Sequence, residues 1–507
     1  MKEKFSGIAD EAILLAAGKG TRMKSELPKV LHEVCGVKLL DLVGQKIVEV
    51  PYKTIVVSQS MVEKYPNDLK LNSLKSDNKV KIAIQTERKG TGHAVKVALG
   101  HLEKSSQIII IIYGDTPFIE KNTIKKAIKI IQSKKADLVV TGFYTDKKNE
   151  YGKIITEKTN KEKDLLKVLK IEEHQGELLP DKTNNGSERV QNSLCNAGFM
   201  AVTKEVLAKC LPQLQEKGIK KELYLTDLPQ LYKVNNFTAT CIVVKEEEAI
   251  GINSINHLIN ANSHLQDLLR EQHIANGVNV VDPKTVYFSY DTKINKGTKI
   301  ATNVNFGKGV VVGSNCTINS FSTLTGCLVG DNSFIGDHTA IKQGAKIGQN
   351  VTIYEFSSIS ECVIKDKCTI GPFAHIRPNT TLQEKVKIGN FVETKSSSIG
   401  ANTKINHLSY IGDSIIGKNV NIGAGCVTCN YDGFAKHKTE IQDNSFIGSQ
   451  TTIIAPLKIG AGAIVGAKSL LNKEDISDNT LVIPQAVNIL LKNGATKFRE
   501  KKIQKNK

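Results

Sequence analysis

From Ile294 to Leu471 the chain sets an aliphatic side chain at every sixth position. The column runs Ile294, Ile300, Phe306, Val312, Ile318 and Leu324, steps by five to Val329, and resumes at Ile335, Ile341, Ile347, Ile353 and Ile359. Another step of five leads to Ile364, Ile370, Ile376, Leu382 and Ile388. Shorter runs follow at Ile399, Ile405, Ile411 and at Ile416, Ile422. After a break the column returns from Ile441 through Ile447, Ile453, Ile459 and Val465 to Leu471. A helix repeats its apolar face every 3.6 residues and a half-buried strand every 2, so this period belongs to neither. It predicts a parallel β-helix, each step a short strand and a turn, with three steps closing one triangular coil. A chance run of Ile would not stay in phase over so many steps. One aliphatic per step points inward onto its counterpart a coil away, so only the whole stack is stable. The Gly and Asn residues beside the column, as in IGQN, VGDN and IGAN, suit corners where φ is positive.

The first half is patterned differently. Ala12 to Ala17 is a continuous apolar run, as in a strand buried on both faces of a parallel sheet. It leads into a basic glycine loop, Gly18-Lys19-Gly20-Thr21-Arg22, and then into Pro28 and Lys29. Glycines at a strand end let backbone N–H groups approach phosphate oxygens, and Arg22 and Lys29 can neutralise them. The loop fits neither GxGxxG nor GxxxxGK[ST]. Residues 53–59, 80–86, 107–119, 137–144 and 194–202 predict further strands, with a helix over 91–102 whose apolar positions share one face. The run 107–119 ends in Tyr113-Gly114-Asp115, with Pro117 as its stop. A carboxylate just past the carboxyl end of a central strand sits where open α/β sheets bind ligands, and Asp suits Mg²⁺. Asp115 as an N-cap of the next helix is the alternative. Residues 145–192 predict hairpins and loops. A linker helix is predicted over 254–276, apolar at 258, 259, 265, 268, 269 and 274, with Gly277 as its C-cap. The expected division is a nucleotide-handling α/β domain over 1–253, the linker over 254–277, the β-helix over 278–488 and a basic tail over 489–507.

Composition narrows the function. With 507 residues the chain exceeds a single core. The net charge of +18 comes from lysines spread along most of the length, which favours anionic small molecules. Nucleic-acid binding is unsupported: there is no Trp, aromatics make up 5%, and no nucleic-acid module pattern appears. The ten cysteines form no paired framework, and Cys426 with Cys429 is a lone CxxC without a second pair for zinc. They are expected to be reduced, in a cytoplasmic protein. The opening segment predicts a first strand rather than a signal peptide, and no stretch is long enough to span a membrane.

The glycine loop and the six-residue stack together are far more specific than either alone. With LAAGKGTRM, LPKVLH, QTERKGTGHA, YGDTP, YGKI, CNAGF and GIN in the first half, and FAHIRP, GNFVETK, NHLSYIGD and NVNIGAGCVTCNYDG in the second, the chain over residues 10–488 resembles one bacterial family. It is that of the bifunctional N-acetylglucosamine-1-phosphate uridylyltransferases (UDP-N-acetylglucosamine pyrophosphorylases) and glucosamine-1-phosphate N-acetyltransferases. The resemblance implies a Rossmann-like nucleotidyltransferase domain followed by a left-handed parallel β-helix, packed as a homotrimer with the acetyl site between subunits.

For uridylyl transfer, the resemblance implies UTP as co-substrate and Mg²⁺ at Asp115, assisted by Asn253. Leu15, Ala16, Ala17, Gly18 and Lys29 would hold the nucleotide together with Tyr113 and Gly114, and Gln85, Gly90 and Thr91 would address the uracil. Gly152, Glu173, Asn196 and Asn253 would hold the sugar. Glu172 remains open as the residue matching Glu173, because the segment from Gln175 to Ser193 is longer than the family norm. Arg22 has a triphosphate role or a local carboxylate partner. For acetyl transfer from acetyl-CoA, His407 is implied as the base. Arg377 and Lys395 would clamp the substrate phosphate, with Tyr410, Asn421 and Asn430. Ala424, Asn430, Tyr431, Ser449 and Ala467 would contact acetyl-CoA, and backbone N–H groups near Asn430 and Tyr431 are candidates for an oxyanion. Gln485 stands where the family carries an arginine for the anionic end of CoA. The segment from Asn430 to Thr439 interrupts the period and is expected as a protruding loop. Two other readings stay open: a single-activity nucleotidyltransferase with a purely structural β-helix, and a non-enzymatic protein on the same two folds.

Overall fold

The structure is a computed structural model that describes residues 8–69, 79–146, 151–157, 165–173, 193–218, 221–472 and 474–485. It divides into two compact units between Asp267 and Leu268.

In the first unit, strand β1 (Glu11–Leu15) is followed by the short hairpin β2 (Glu33–Val34) and β3 (Val37–Lys38), then α1 (Leu39–Lys46), β4 (Tyr52–Ser58) and α2 (Gln59–Lys64). Next come β5 (Val80–Gln85), α3 (Gly90–Leu99), β6 (Ile108–Tyr113), α4 (Lys121–Gln132), β7 (Leu138–Thr145), β8 (Lys153–Thr156) and β9 (Leu166–Glu172). β10 (Ser193–Thr203), α5 (Lys204–Cys210), α6 (Leu228–Val234) and β11 (Ala239–Val243) complete it. Nine strands form one sheet in the order β5-β4-β1-β6-β10-β7-β11-β9-β8. The sheet is parallel from β5 to β6 and mixed beyond, because β10 runs antiparallel to both β6 and β7. Alternation explains the continuous apolar runs. Ala12, Leu14, Ile110 and Ile112 enter one core with α4, while Ile13, Leu15, Ile109 and Ile111 enter the other with α3.

Three expectations shift here. β1 stops at Leu15 rather than Ala17, and Ala16 already leaves the strand while its N–H donates to Val56 O at 2.8 Å. β6 stops at Tyr113, four residues before Pro117, where the Gly114 N–H turns across to Leu15 O at 2.9 Å. The turn, not the proline, ends the strand. Of the 145–192 stretch, β8 and β9 form an antiparallel hairpin, and residues 174–192 lie outside the described residues.

Helix α7 (Ile255–Ala275) contains the point of division. Its buried positions are Ala261, Leu265, Gln266, Leu269 and His273, whereas Ile259, Leu268 and Ile274 are exposed. The apolar pattern misplaced the face because two polar side chains carry part of it. In the first unit Gln266 Nε2 donates to Cys35 Sγ at 3.1 Å. In the second unit the His273 ring packs on Phe288 at 4.6 Å. Gly277, at φ +86°, bonds Ile274 O and ends the helix as expected.

The second unit is a left-handed parallel β-helix whose coils build three parallel sheets of 12, 11 and 10 strands. Register shows coils of about three steps, Ile300 lying on Ile318 and Ile318 on Ile335. Every aliphatic of the six-residue column is buried. The two apparent gaps are filled in phase by Thr394 and Thr428, both buried, so the column is unbroken where its composition changes. Small side chains two residues earlier are also buried, among them Cys316, Cys327, Cys362, Cys368 and Cys426, which explains the cysteine usage. All ten cysteines are free. Beyond Leu471, Leu481–Val482 pairs with Ile464–Val465 and closes a further coil. The basic tail lies outside the described residues. Among the described residues no helix is long and apolar enough to cross a membrane.

Candidate functional sites

In the first unit the carboxyl ends of β1 and β6 lie side by side, Leu15 opposite Tyr113. The loops that leave them carry Ala16, Ala17 and Gly18 on one side and Gly114 and Asp115 on the other. A Cβ at Gly114 would stand 3.0 Å from Leu15 O and from Val30 Cγ1, so a side chain there would force these neighbours to give way. Lys29 reaches into the same place. Its Nζ meets Asp115 Oδ2 and donates to Asn253 Oδ1 at 2.8 Å. Both partners of the pair are largely shielded, at 12% and 17% exposure. The Asp115 carbonyl accepts from Ile252 N–H at 2.9 Å, which holds the Asn253 segment against the β6 end. Asp115 therefore closes a polar centre and caps no helix; α4 begins at Lys121 with Glu120 before it.

Gln85, at the end of β5, donates to Gly90 O at 3.2 Å and pairs with His93 Nδ1 at 3.0 Å. Gly90 has φ +89° and packs so tightly on Leu223 that a Cβ would lie 2.5 Å from its carbonyl. The Thr91 hydroxyl accepts from Leu225 N–H at 3.0 Å and shares a hydrogen bond with the Tyr113 phenol. Burial, with the nearby Glu173 charge, pushes that phenol well above its usual range, so it is neutral. Asn196 lies where β10 slips register against β7; its N–H donates to Gly152 O at 2.8 Å. A Cβ at Gly152 would be 3.3 Å from the Glu173 carboxylate, whereas Glu172 is exposed and paired with Lys170. Gly152, Glu173 and Asn196 thus cluster, and Glu172 does not join them. Arg22 is exposed in the turn Thr21–Met23.

In the second unit one corner and one wall carry the predicted residues. His407 is exposed at the end of the strand Lys404–His407. Its Nδ1 lies 2.7 Å from Asn390 Oδ1, one coil below in register. An amide oxygen only accepts, so Nδ1 is the donor in this bond and Nε2 is the ring nitrogen it does not use. Asn390 was not singled out by the sequence. Above His407, register stacks Ala424, Ser449 and Ala467 at the same corner. Gln485 falls one residue beyond this column, because Ile464 and Val465 pair with Leu481 and Val482 and so bring Pro484 opposite Ala467. Asn421 faces outward on the wall before that corner.

The wall after the corner bears Tyr410 above Glu393 above His375, and beside them Gly412 above Lys395 above Arg377. Arg377 Nη1 donates to Glu393 Oε1 at 2.6 Å. A Cβ at Gly412 would be 2.5 Å from the Tyr410 hydroxyl and 2.8 Å from Asn430 Nδ2, so those two groups close over this glycine. Asn430 Nδ2 in turn donates to Asp413. The Asn430 N–H is taken by Thr428 O at 3.0 Å, so it is not available to an oxyanion.

The protruding loop is present between Val427–Cys429 and Thr439–Ile441. It is organised by Asp432, which accepts from Ala435 N–H, from His437 Nε2 and from Phe434 N–H. These donors hold its carboxyl below the usual carboxylate range. The loop folds Tyr431 against Lys436 and brings Lys436 to Lys395. The Lys436 ammonium, with Arg377 further off, lowers the Lys395 pKa from the ordinary lysine value. Three cations thus gather at this wall, with Glu393 paired to Arg377 and the Asp413 charge partly offsetting the effect of Lys436 on Lys395. Lys436 lies outside the six-residue period, so only the folded loop reveals it. Among the described residues no cluster of three or more His, Cys, Asp or Glu could hold a metal by itself.

Residues 12–170 match the MobA-like NTP transferase domain family, and residues 358–432 match the GMPPB C-terminal domain family. Over nearly its whole length the chain is similar to the bifunctional protein GlmU of Bartonella bacilliformis, at 35% identity over 98% of this chain and 98% of that protein. It is likewise similar to the GlmU proteins of Zymomonas mobilis, at 35% over 97% of this chain and 98% of that protein, and of Wolbachia pipientis wMel, at 35% over 93% and 96%.

Proposed function

Because this chain belongs to the GlmU family of bifunctional enzymes, uridylyltransferase and acetyltransferase in one polypeptide, we propose that its two constellations are the two active centres. The reading rests on one observation: each unit assembles a charged centre from its own residues.

In the first unit the substrates are UTP and N-acetylglucosamine 1-phosphate. The sugar phosphate oxygen attacks the α-phosphorus of UTP and pyrophosphate leaves, so the protein positions and neutralises and needs no nucleophile of its own. The loop Leu15–Gly18, Tyr113, Gly114 and Lys29 take the phosphates, and Gln85, Gly90 and Thr91 take the base. Gly152, Glu173 and Asn196 take the sugar. Asp115 and Asn253 offer two hard oxygens, and the Lys29 ammonium already occupies the place between them as a cation would. Two protein oxygens completed by substrate phosphates suit Mg²⁺. Asp115 and Asn253 would hold Mg²⁺ there, which would offset charge on the triphosphate, and Lys29 would serve the phosphates. Chelation of divalent metal is expected to abolish pyrophosphate release from UTP and leave acetyl transfer unchanged. Loss of both activities on chelation would contradict the assignment.

In the second unit the 2-amino group of glucosamine 1-phosphate attacks the thioester carbonyl of acetyl-CoA. His407 Nε2 takes the amine proton, Asn390 holds the ring, and CoA thiol departs. Arg377, Lys395 and Lys436 hold the phosphate, with Tyr410, Asn421 and Asn430 around the sugar. Ala424, Ser449 and Ala467, the small column above His407, leave room for the acetyl-CoA arm beside Asn430 and Tyr431. Gln485 next to that column carries no charge for the nucleotide end. A charge-assisted contact contributes about 1.5–3 kcal/mol, so Lys436→Ala is expected to raise KM for glucosamine 1-phosphate about 10- to 100-fold. The same change is expected to return Lys395 toward the ordinary lysine pKa, read by NMR titration. An unchanged KM would remove Lys436 from the phosphate site. We assign the protein to the cytoplasm and to a homotrimer whose neighbouring subunits close the acetyl site.

A further inference from the structure

Gln85 has one end of its side-chain amide committed and the other left open. The residue is 4% exposed at the end of β5, and its side chain makes two hydrogen bonds, both through Nε2. One runs to Gly90 O at 3.2 Å and the other to His93 Nδ1 at 3.0 Å. A carbonyl oxygen only accepts, so the amide atom that faces Gly90 is the nitrogen. The same NH₂ group faces His93, so Nδ1 is the acceptor in that bond. The amide oxygen and nitrogen share one carbon, and pinning the nitrogen turns Oε1 the other way. Among the described residues nothing donates to Oε1, and protein does not seal it off.

Both partners of that nitrogen are held in place. The start of α3 is clamped to the segment 223–225: Leu223 N–H donates to Lys89 O at 2.8 Å, Gly92 N–H to Leu223 O at 2.8 Å, and Leu225 N–H to Thr91 Oγ1 at 3.0 Å. A Cβ at Gly92 would lie 2.7 Å from Leu214 Cδ1, so the helix comes this near by having glycine there. Ala94, Val95 and Ala98 fix the other side of α3 in the core. His93 is half-buried between these two anchors. Its ring and the Gly90 carbonyl therefore present two acceptors to one amide nitrogen.

We propose that His93 sets the preference of uridylyl transfer for uracil over cytosine, by holding the Gln85 amide with its oxygen toward the base. This rests on the reading above, in which Gln85 addresses the base of UTP. Uracil carries a hydrogen on N3, whereas cytosine has a bare lone pair there. Oε1 accepts from the uracil N3–H. Against cytosine it would meet a second acceptor, and both would stay unpaired in a shielded place. A reversed amide would offer its NH₂ group instead and suit the cytosine N3. The discrimination thus lies in the orientation of the amide, not in its presence. The His93 bond is the shorter of the two that fix it. His93 acts through Gln85 and is a positioning residue.

The test compares UTP with CTP on the full-length protein, following pyrophosphate release with N-acetylglucosamine 1-phosphate. Wild type is expected to prefer UTP strongly. In His93→Phe, which keeps a ring but has no acceptor, the UTP-to-CTP ratio of kcat/KM is expected to fall about 10-fold. The loss should lie mainly in KM for UTP, with kcat changing less. His93→Asn can place Oδ1 where Nδ1 stood and is expected to restore the ratio. Both nucleotides are measured on one preparation, so the fraction of folded protein cancels from the ratio. A wild-type ratio in His93→Phe, equal losses with UTP and CTP, or a failure of His93→Asn to restore the ratio overturns the proposal. So does a wild type that uses CTP as well as UTP. If wild type released no pyrophosphate from UTP, the assigned reaction would fail and the role of His93 with it. Turnover of UTP with an unmoved ratio removes the role of His93 alone.

Discussion

Replacing His407 with alanine is expected to lower acetyl transfer about 10²- to 10⁴-fold, the usual share of a general base, while uridylyl transfer stays at the wild-type rate. The imidazole is exposed and its Nδ1 is committed to Asn390, so Nε2 is the atom left to take the amine proton. Nothing in the core depends on it, and a surface change of this kind alters stability by roughly 0.5 kcal/mol or less. CoA thiol release and pyrophosphate release, followed on the same preparation, check both halves. Acetyl transfer at the wild-type rate in this variant would return the β-helix to a structural role.

Asp115→Asn is expected to do the reverse, lowering uridylyl transfer about 10³-fold, as removal of several kcal/mol of charge stabilisation does. Asparagine keeps an oxygen for the Lys29 ammonium, so the contact survives while the negative charge is lost. The weakened step is the binding of cation and triphosphate. Acetyl transfer belongs to the other unit and is expected to be unaffected. If the variant released pyrophosphate normally, Asp115 would be an ordinary ion-pair partner of Lys29.

The β-helix was legible because each coil repeats the same inward position, so a period of six survives insertions and steps of five. It became unreadable only where Thr394 and Thr428 took the column, since a buried polar residue looks like a break in an apolar pattern. Asn390 was hidden for a geometric reason. It stands 17 residues before His407, and only the length of one coil brings the two together. Lys436 reaches Lys395 through a loop that obeys no period. The glycine loop and Asp115 were readable as strand-end features. Their convergence with Asn253, 224 residues after Lys29, depended on the order of strands in the sheet. The linker helix was found at the right place with the wrong face, because Gln266 and His273 are buried polar residues that find partners.

Two chemistries in one chain can be tested in a single mixture. Wild-type protein is given glucosamine 1-phosphate, UTP and Mg²⁺, with and without acetyl-CoA, and pyrophosphate is followed. Release is expected only when acetyl-CoA is present, in step with CoA thiol and ending in UDP-N-acetylglucosamine. Pyrophosphate formed from N-acetylglucosamine 1-phosphate but never from this mixture would contradict it, and would leave a nucleotidyltransferase whose β-helix performs no chemistry.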